Sequence, residues 1–248
     1  MATFEELLAE GAAVPVDGWD FSWFTGRATE ARPSWGYAGL MAERMARARA
    51  ALDVQTGGGE VLAGVPYRPA LLAATESWPP NLAVARHTLR PLGVFVVGAS
   101  DGGGLPFAGG TFDLVVSRHP VITVWPEIAR VLRPGGTFLS QQIGAGSQRE
   151  LIDFMMGPQP VGGARSPVRA REQAEAAGLA VTDLRSEALT AEFFDIAAVV
   201  HFLRKVVWTV PDFSVERYRD RLAALHRRIE RDGLFVSHAQ RFLIEARR

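Results

Sequence analysis

The sequence predicts an α/β fold in which a mostly parallel sheet of seven strands carries helices on both faces. Short apolar runs alternate with stretches of helical periodicity along most of the 248 residues. The runs are apolar throughout, as expected for strands that are buried on both faces. Internal repeats and low-complexity linkers are absent from the sequence, so a single domain over residues 1–248 is predicted.

Residues 1–48 are predicted to be an N-terminal helical segment. Pro33 and Ser34 precede a helical pattern through Tyr37, Met41 and Met45, and Ser34 is a suitable N-cap. Aromatic residues crowd this stretch, and they either close a pocket as a lid or only dock the segment on the core. Those aromatic residues are Trp19, Trp23, Trp35 and Tyr37.

Residues 49–190 are predicted to form the strand-rich core. Its first five strands are expected in the segments AALDV near Asp53, ALLAATE ending at Glu76, GVFVVGAS ending near Ser100, FDLVVS ending at Ser117, and GGTFLSQQI. Helices are expected between them at Pro80–His87 and Val124–Leu132, the second ending in the turn sequence RPGG. A helix over Ser166–Ala177 and a strand over Ala180–Leu189 complete the core.

The remaining residues are predicted to add a helical insertion and one last strand. Phe193–Val207 is a largely apolar helix, and Ser214–Arg231 is amphipathic, with Leu222, Leu225 and Ile229 at helical spacing. Residues 191–235 would thus form a cap, and residues 236–248 would contain the last strand, Ala239–Ala246.

Composition narrows the class of protein. The 27 basic and 27 acidic residues give a net charge of zero, so a polyphosphate-binding surface is not indicated. The lack of cysteine excludes disulfides, thiolate metal sites and cysteine nucleophiles. The N-terminus does not resemble a signal peptide, and the longest apolar stretch is too short to span a bilayer. A cytoplasmic protein without a membrane partner is expected.

The first candidate site motif runs from Asp53 to Glu60, DVQTGGGE, between a predicted strand and a helix. Consecutive glycines let the backbone approach a ligand closely and expose amide groups at a helix N-terminus. A tight turn without a ligand is the alternative. The ligand-binding residues in this motif would be Asp53, Gln55, Thr56, Gly57, Gly58 and Gly59.

Two further motifs follow the next two strands, where parallel sheets bind ligands. Glu76 ends a strand 23 positions after Asp53, so its carboxylate is placed to accept ribose hydroxyls. Ser77 and Trp78 follow, and the indole would either flank an adenine ring or pack in the core. The third motif is Ser100-Asp101-Gly102, whose carboxylate would accept an adenine amino group unless the segment is only a flexible loop.

In this order the motifs resemble class I S-adenosylmethionine (SAM)-dependent methyltransferases, of the type 11/25-like group. The resemblance covers Ala50 to about Ile143 and is carried by the blocks DVQTGGGE, ATESW, ASDGGGLPF, GGTFDLVVSRHP and ARVLRPGGTFL. It implies a Rossmann-like fold, with the methionine part of SAM at the glycine loop, the ribose at Glu76 and the adenine at Asp101. Ser117, which ends the fourth core strand, is assigned to the same pocket, and S-adenosylhomocysteine would be the product.

Gln55 departs from the resembled family, which usually has its first glycine at this position. Its side chain would either contact SAM or point away. A dinucleotide-binding site is the weaker interpretation. The pattern GxGxxG would begin with Gly57 and Gly59 and would require a glycine at the position of Leu62.

Arg118 and His119 are the candidate catalytic residues, because they follow the strand at whose edge acceptors meet SAM in the resembled family. His119 would be a general base or a hydrogen-bond donor to the acceptor, or would only stabilise the turn. Arg118 would hold an anionic acceptor, or would pair with Asp113 or Glu127. Gln141 and Gln142 would line the same cleft, and a metal site is not expected.

The predicted function is transfer of a methyl group from SAM to an oxygen or nitrogen atom of a small-molecule acceptor. Two alternatives remain open: a methyltransferase acting on RNA or protein, and a SAM-binding protein without catalysis. The former would dock through the arginine-rich amphipathic helix, although acidic residues interrupt its positive face and nucleic acid is not the expected partner. The arginines concerned are Arg217, Arg219, Arg221, Arg227, Arg228 and Arg231.

Overall fold

The computed structural model describes residues 2–16 and 21–248. Trp19, one of the aromatic residues of the predicted lid, lies outside them. None of the helices over these residues is long and apolar enough to cross a membrane. The helices are α1 (Phe4–Ala13), α2 (Tyr37–Met45), α3 (Glu60–Ala63), α4 (Pro79–Leu89), α5 (Trp125–Val131), α6 (Arg149–Met156), α7 (Pro167–Ala176), α8 (Ile196–Lys205) and α9 (Arg219–Asp232). The strands are β1 (Ala28–Glu30), β2 (Ala50–Asp53), β3 (Leu71–Glu76), β4 (Phe95–Gly98), β5 (Phe112–Arg118), β6 (Leu132–Ile143), β7 (Ala180–Phe193) and β8 (Phe235–Arg247).

The strands form a mixed sheet in the order β1-β7-β8-β6-β5-β2-β3-β4. Strands β2 to β6 pair in parallel with one another, whereas β8 runs antiparallel to β6 and β1 antiparallel to β7. The predicted mostly parallel sheet is confirmed. Its predicted strand number is one too low, because Ala28–Glu30 of the N-terminal segment adds a short edge strand that its three residues did not reveal.

The sheet order places the candidate site residues at one edge. Chain progression runs outward from β2 to β3 and β4, and then in the other direction from β5 to β6. The order therefore reverses between β2 and β5, where Asp53 lies opposite Val116. Ligands of open parallel sheets bind beyond the carboxyl ends of the strands at such a reversal.

The chain divides into two compact units, and the larger consists of residues 33–144, 163–187 and 241–248. Its core has two buried clusters. Phe138 and Leu139 are both fully buried, yet they belong to different clusters. Because successive side chains of a strand point to opposite faces, β6 contributes to the core on each side of the sheet. Helix α5 supplies Ile128 to one cluster, and α2 supplies Met41 to the other.

The second unit consists of residues 1–32, 145–162 and 188–240. Its core is built around α8, whose residues are almost all buried, and around the apolar face of α9 formed by Leu222, Leu225 and Ile229. Asp195 caps α8 by accepting the backbone N–H of Ala198 at 2.7 Å. Residues 1–32 of the predicted N-terminal segment and all of the predicted cap insertion, 191–235, thus share one unit, whereas residues 33–48 belong to the larger unit. The roles of lid and cap stay predictions.

Three local predictions are corrected by the structure. Ser34 is not the N-cap of α2: Gly36 is, and the Ser34 backbone N–H bonds the Glu187 carboxylate at 3.0 Å. Strand β4 is not buried on both faces, because it is the edge strand and Phe95 is 63% exposed. The RPGG sequence does end α5, but it continues as an irregular start of β6 in which the pairing with β5 shifts register.

Candidate functional site

The glycine-rich loop leaves β2 in a backbone conformation that favours glycine. Gln55, Gly57 and Gly59 have φ angles of 59°, 65° and 82°. A side chain at Gly59 would also place its Cβ 2.7 Å from Leu89 of α4, so glycine is required there for packing as well as for conformation. The loop is tied to β3, since the Thr56 N–H donates to the Thr75 carbonyl at 2.9 Å. The result is a tight and well-anchored turn.

Glu76 joins this loop to the segment that follows β3. One carboxylate oxygen, Oε2, accepts the Gly57 N–H at 2.8 Å. The other, Oε1, accepts the N–H groups of Ser77 at 2.9 Å and Trp78 at 2.8 Å. Hydrogen bonds to a charged acceptor are stronger than those between neutral groups. The single carboxylate therefore fixes the geometry of both segments.

Ser77 extends this arrangement to the tip of β4. Its hydroxyl donates to Oδ2 of Asp101 at 2.9 Å, which brings the second and third sequence motifs into direct contact. Trp78 is 45% exposed and precedes α4, so its indole does not pack in the core. At Gly102, an added Cβ would meet nothing within 4 Å, so this glycine borders open space.

A cleft of about 410 Å³, including its open mouth, lies at this edge of the sheet. Gln55, Ser100, Asp101 and Ser117 of the predicted set line it. The motifs did not indicate most of the remaining lining residues. These follow β2, β4 or β5, or belong to β3, α5 or β6: Val54, Thr75, Ala99, Gly103, Leu105, Pro120, Ile122, Thr123, Val124, Glu127, Ile128 and Phe138. Residues 120–124 could have been expected to line the cleft from their position alone, because they directly follow a core strand at the same edge of the sheet.

Asp53 is a buried carboxyl group beneath the loop. Burial, followed by the nearby charge of Glu76, raises its pKa to about 7, although the Thr56 hydroxyl donates to it at 2.6 Å. The pKa of Glu76 is also raised, first by burial and then by Asp101. Asp53 and Glu76 thus contact the glycine loop, and Asp101 lies near Glu76, so a positive charge placed among these carboxyl groups would be stabilised.

Tyr37 adds a buried hydroxyl to the same region. Within the described residues this hydroxyl makes no hydrogen bond of ordinary geometry, although Asp53 and the Ser117 backbone lie near it. Burial, and then the Asp53 charge, raise its pKa well above 10. A buried hydroxyl without a partner is costly unless a ligand or water supplies one. Tyr37 thus places a buried hydroxyl near Asp53, a proximity that the aromatic pattern alone did not indicate.

The segment after β5 carries a different kind of network. The Trp35 indole N–H donates to Oε1 of Gln141 at 2.8 Å, and Nε2 of Gln141 lies 2.9 Å from Nε2 of His119. Because an indole N–H can only donate, Gln141 must present its oxygen to Trp35 and its amide N–H to His119. Nε2 of His119 is then an acceptor, and the proton of the neutral ring is on Nδ1.

His119 is held in this neutral form. Burial lowers its pKa well below 6.5, and the positive charges of Arg118, Arg241 and Arg165 lower it further. Its φ angle of 55° is in the left-handed region, and its N–H donates to the Gln141 carbonyl at 2.7 Å. Since Nε2 accepts from Gln141, this nitrogen is not available as a proton acceptor in this geometry, and Nδ1–H is the donor of the neutral ring.

Other predicted residues are placed as follows. Arg118 is exposed, and the two carboxylates considered as its partners bind other arginines: Asp113 pairs with Arg133 at 2.8 Å and Glu127 with Arg130 at 2.7 Å. Gln142 donates to the Thr123 hydroxyl at 3.1 Å.

The aromatic residues of the predicted lid are divided between the two units. Trp35 and Tyr37 pack in the core of the larger one. In the other, Trp23 packs against the buried His201, with ring centroids 5.0 Å apart, and Arg27 lies over the Trp23 ring. Phe154 and Met155 pack in the core of that second unit.

Residues 52–140 match the sequence model of a family described as a methyltransferase domain. The matched segment runs from β2 into β6 and includes the glycine loop, Glu76, Asp101 and His119. No curated protein matches the chain in sequence.

Several solved structures share the fold. A candidate methyltransferase from Bacillus halodurans has a TM-score of 0.58 at 18% identity, covering 84% of this chain and 97% of its own. A candidate sarcosine dimethylglycine methyltransferase from Galdieria sulphuraria has a TM-score of 0.52 at 18% identity, with coverages of 86% and 83%. A protein of unknown function from Deinococcus radiodurans has a TM-score of 0.60 at 16% identity, with coverages of 89% and 90%. The comparisons confirm the Rossmann-like fold of class I SAM-dependent methyltransferases that the motifs resemble.

Proposed function

We propose, from the methyltransferase domain at residues 52–140, that this chain transfers a methyl group from SAM to an oxygen or nitrogen atom of a small-molecule acceptor. The observation that carries the proposal is the chain of bonds from Gly57 through Glu76 and Ser77 to Asp101. These contacts align the glycine loop and two carboxylates along one edge of the sheet, where a nucleoside with an amino-acid tail has a place for each part.

The side chains present fit SAM. A carboxylate offers about four acceptor positions, and Glu76 uses three of them for backbone N–H groups. The position left on Oε2 suits a ribose hydroxyl. Oδ1 of Asp101 suits the adenine amino group, and the Tyr37 hydroxyl offers a hydrogen bond near Asp53. The acidic surroundings suit the positive sulfonium and ammonium groups.

When bound, SAM supplies a methyl group already activated by the sulfonium. The protein then has to hold the acceptor in line and keep water out. We assign the acceptor side to Arg118, the last residue of β5, and His119, which follows it. His119 would donate from Nδ1 to the acceptor, and Gln141 fixes the orientation of its ring. Amines and acidic phenols need little help from a base, so such acceptors are compatible with a histidine whose Nε2 is engaged.

A small-molecule acceptor is preferred over RNA because three arginines of the arginine-rich helix α9 are already paired within its own unit. Arg219 pairs with Glu5, Arg228 with Asp232 at 3.5 Å, and Arg231 with Asp232 at 2.8 Å. Paired arginines release fewer counterions from a nucleic-acid backbone than unpaired ones.

Calorimetry with SAM and S-adenosylhomocysteine, followed by a methyl-transfer assay on a panel of amines, phenols and carboxylic acids, tests this proposal. We expect binding of both compounds and turnover of a small acceptor. Binding without turnover on any acceptor class, RNA and protein included, would favour the non-catalytic alternative. Absence of binding would contradict the proposal.

A further inference from the structure

Gln55 occupies an unusual position in the cleft. It adopts a left-handed backbone, which favours glycine, and it stands where the resembled motif has one. Its side chain does not point away from the site. Nε2 donates to the Ile122 carbonyl at 2.7 Å, and Oε1 accepts the Val121 N–H at 2.6 Å. The amide thus bonds backbone groups of two consecutive residues in another loop.

The loop that receives these bonds connects β5 to α5. Val121 is 68% exposed and Ile122 is 49% exposed, so side-chain burial does little to hold the loop. Gln142 bonds the Thr123 hydroxyl farther along. Gln55, Ile122 and Thr123 all line the cleft, so the Gln55 bonds join the glycine-rich loop to the opposite wall.

We infer that Gln55 is a positioning residue for the cofactor: it holds the segment Val121–Ile122, of which Ile122 lines the cleft, in place before SAM binds. This inference rests on the proposed function for the identity of the ligand. A wall that is already ordered does not lose conformational freedom on binding, so affinity is higher than with a loose wall. The bonds also couple the glycine loop to the segment that carries His119 on the acceptor side.

The primary amide is the chemical feature that this role requires. It donates and accepts at once, and so matches one backbone carbonyl and one backbone N–H. Glutamate at the same length accepts the Val121 N–H but cannot donate to the Ile122 carbonyl. Leucine has a similar size and makes neither bond. Glutamine at position 55 should therefore hold the Val121–Ile122 segment best, glutamate less well and leucine least.

The two bonds from the Gln55 side chain to Val121 and Ile122 form what we call the latch. Hydrogen exchange in the absence of SAM tests whether the latch exists. In Gln55→Leu, the Val121 amide should exchange about ten-fold faster than in the unaltered protein, because its hydrogen bond is lost. Gln55→Glu should give an intermediate rate. Gln159→Leu is the matched control: its side chain bonds the Met156 and Gly157 carbonyls in the other unit, and Val121 exchange should not change. Unchanged exchange in Gln55→Leu would overturn the inference.

Stopped-flow binding of SAM tests the role of the latch. We expect Gln55→Leu to increase the dissociation rate constant about ten-fold while the association rate constant changes less than about two-fold. The melting temperature without SAM should stay close to that of Gln159→Leu, since the two lost bonds are exposed. A latch that only blocks the cleft would instead give faster association and tighter binding, and that result would overturn the inference.

The two experiments separate this inference from the proposed function. If the unaltered protein binds no SAM, the proposed function and the cofactor role of Gln55 fail together, whereas the exchange data still decide whether the latch exists. If the unaltered protein binds SAM and Gln55→Leu binds it with the same rate constants, only the role of Gln55 fails.

Discussion

Two halves of the same sheet edge differ in charge and in how their residues are held. The tips of β2, β3 and β4 present Asp53, Glu76 and Asp101, which are acidic and are bonded mainly by backbone N–H and hydroxyl groups. The tips of β5 and β6 present Arg118, His119 and Gln141, which are cationic or neutral. The first half suits a cationic cofactor, and the second suits a neutral or anionic acceptor.

The two halves depend on different features of the chain. Backbone amides of the glycine loop and of the segment after β3 hold Glu76. The His119 arrangement depends on a side chain 84 positions earlier, because Trp35 orients Gln141 and Gln141 orients His119. Removing a member of one half should therefore leave the function of the other half largely intact.

The largest expected effect is that of Glu76→Ala on cofactor binding. Three backbone N–H groups lose their acceptor, and the ribose loses a partner, so SAM affinity should fall by about 1–3 kcal/mol, or roughly 5- to 150-fold. Calorimetry measures the loss, and Glu76→Gln, which keeps one acceptor oxygen, should lose less. Equal affinity in Glu76→Ala and the unaltered protein would show that this half does not bind SAM.

Asp101→Ala should also weaken the binding of SAM, by an amount in the lower part of the same range of about 1–3 kcal/mol. Among the described residues, one side-chain bond, from Ser77, is lost together with the adenine contact. A competition experiment with adenosine and with methionine measures where the loss occurs. The variant should bind adenosine more weakly and methionine as before. The reverse pattern would contradict the assignment of Asp101 to the adenine.

Gln141→Leu tests the other half. It leaves the Trp35 N–H without an acceptor and His119 without its donor, which should lower the free energy of unfolding by about 1–3 kcal/mol. The value of kcat should fall while the SAM dissociation constant stays within about two-fold of its original value. Gln141→Glu, which keeps the acceptor for Trp35, should regain the stability but not kcat. A large loss of SAM affinity would show that the two halves are not separate.

Asp53 should make SAM binding depend on pH. Its pKa is about 7 without ligand, and a bound cation would lower that pKa, so the group has to lose its proton on binding below pH 7. The affinity should drop about ten-fold between pH 8 and pH 6, and Asp53→Asn should remove most of this dependence. In the ligand-free protein the same raised pKa should make the free energy of unfolding decrease as pH rises from about 4 to about 7. Calorimetry across pH, and denaturant unfolding across pH, measure the two effects.

The smallest effect is expected in the second unit. Replacing Arg217, Arg221 and Arg228 of the α9 region by alanine should change SAM affinity and turnover of a small acceptor by less than about two-fold. Retention on RNA should be weak before and after the change. Salt-dependent RNA retention that disappears in the triple variant would support the RNA alternative.

The parts of the molecule that the sequence predicted well are those with local signals. Apolar runs and glycine turns sit within one element, and they indicated β2 to β8 and the motif residues at the strand tips. Gln55 shows the limit: its left-handed backbone was predictable from the motif, whereas its bonds to Val121 and Ile122 lie more than 60 positions away. The Tyr37 hydroxyl likewise depends on packing between α2 and the sheet, which no short pattern records.

Titration calorimetry of the purified protein with SAM at pH 8 shows directly whether the acidic half of the sheet edge binds SAM. We expect saturable one-to-one binding, with a several-fold or greater loss of affinity in Glu76→Ala under the same conditions. No detectable heat for SAM or S-adenosylhomocysteine with the folded, unaltered protein would contradict it.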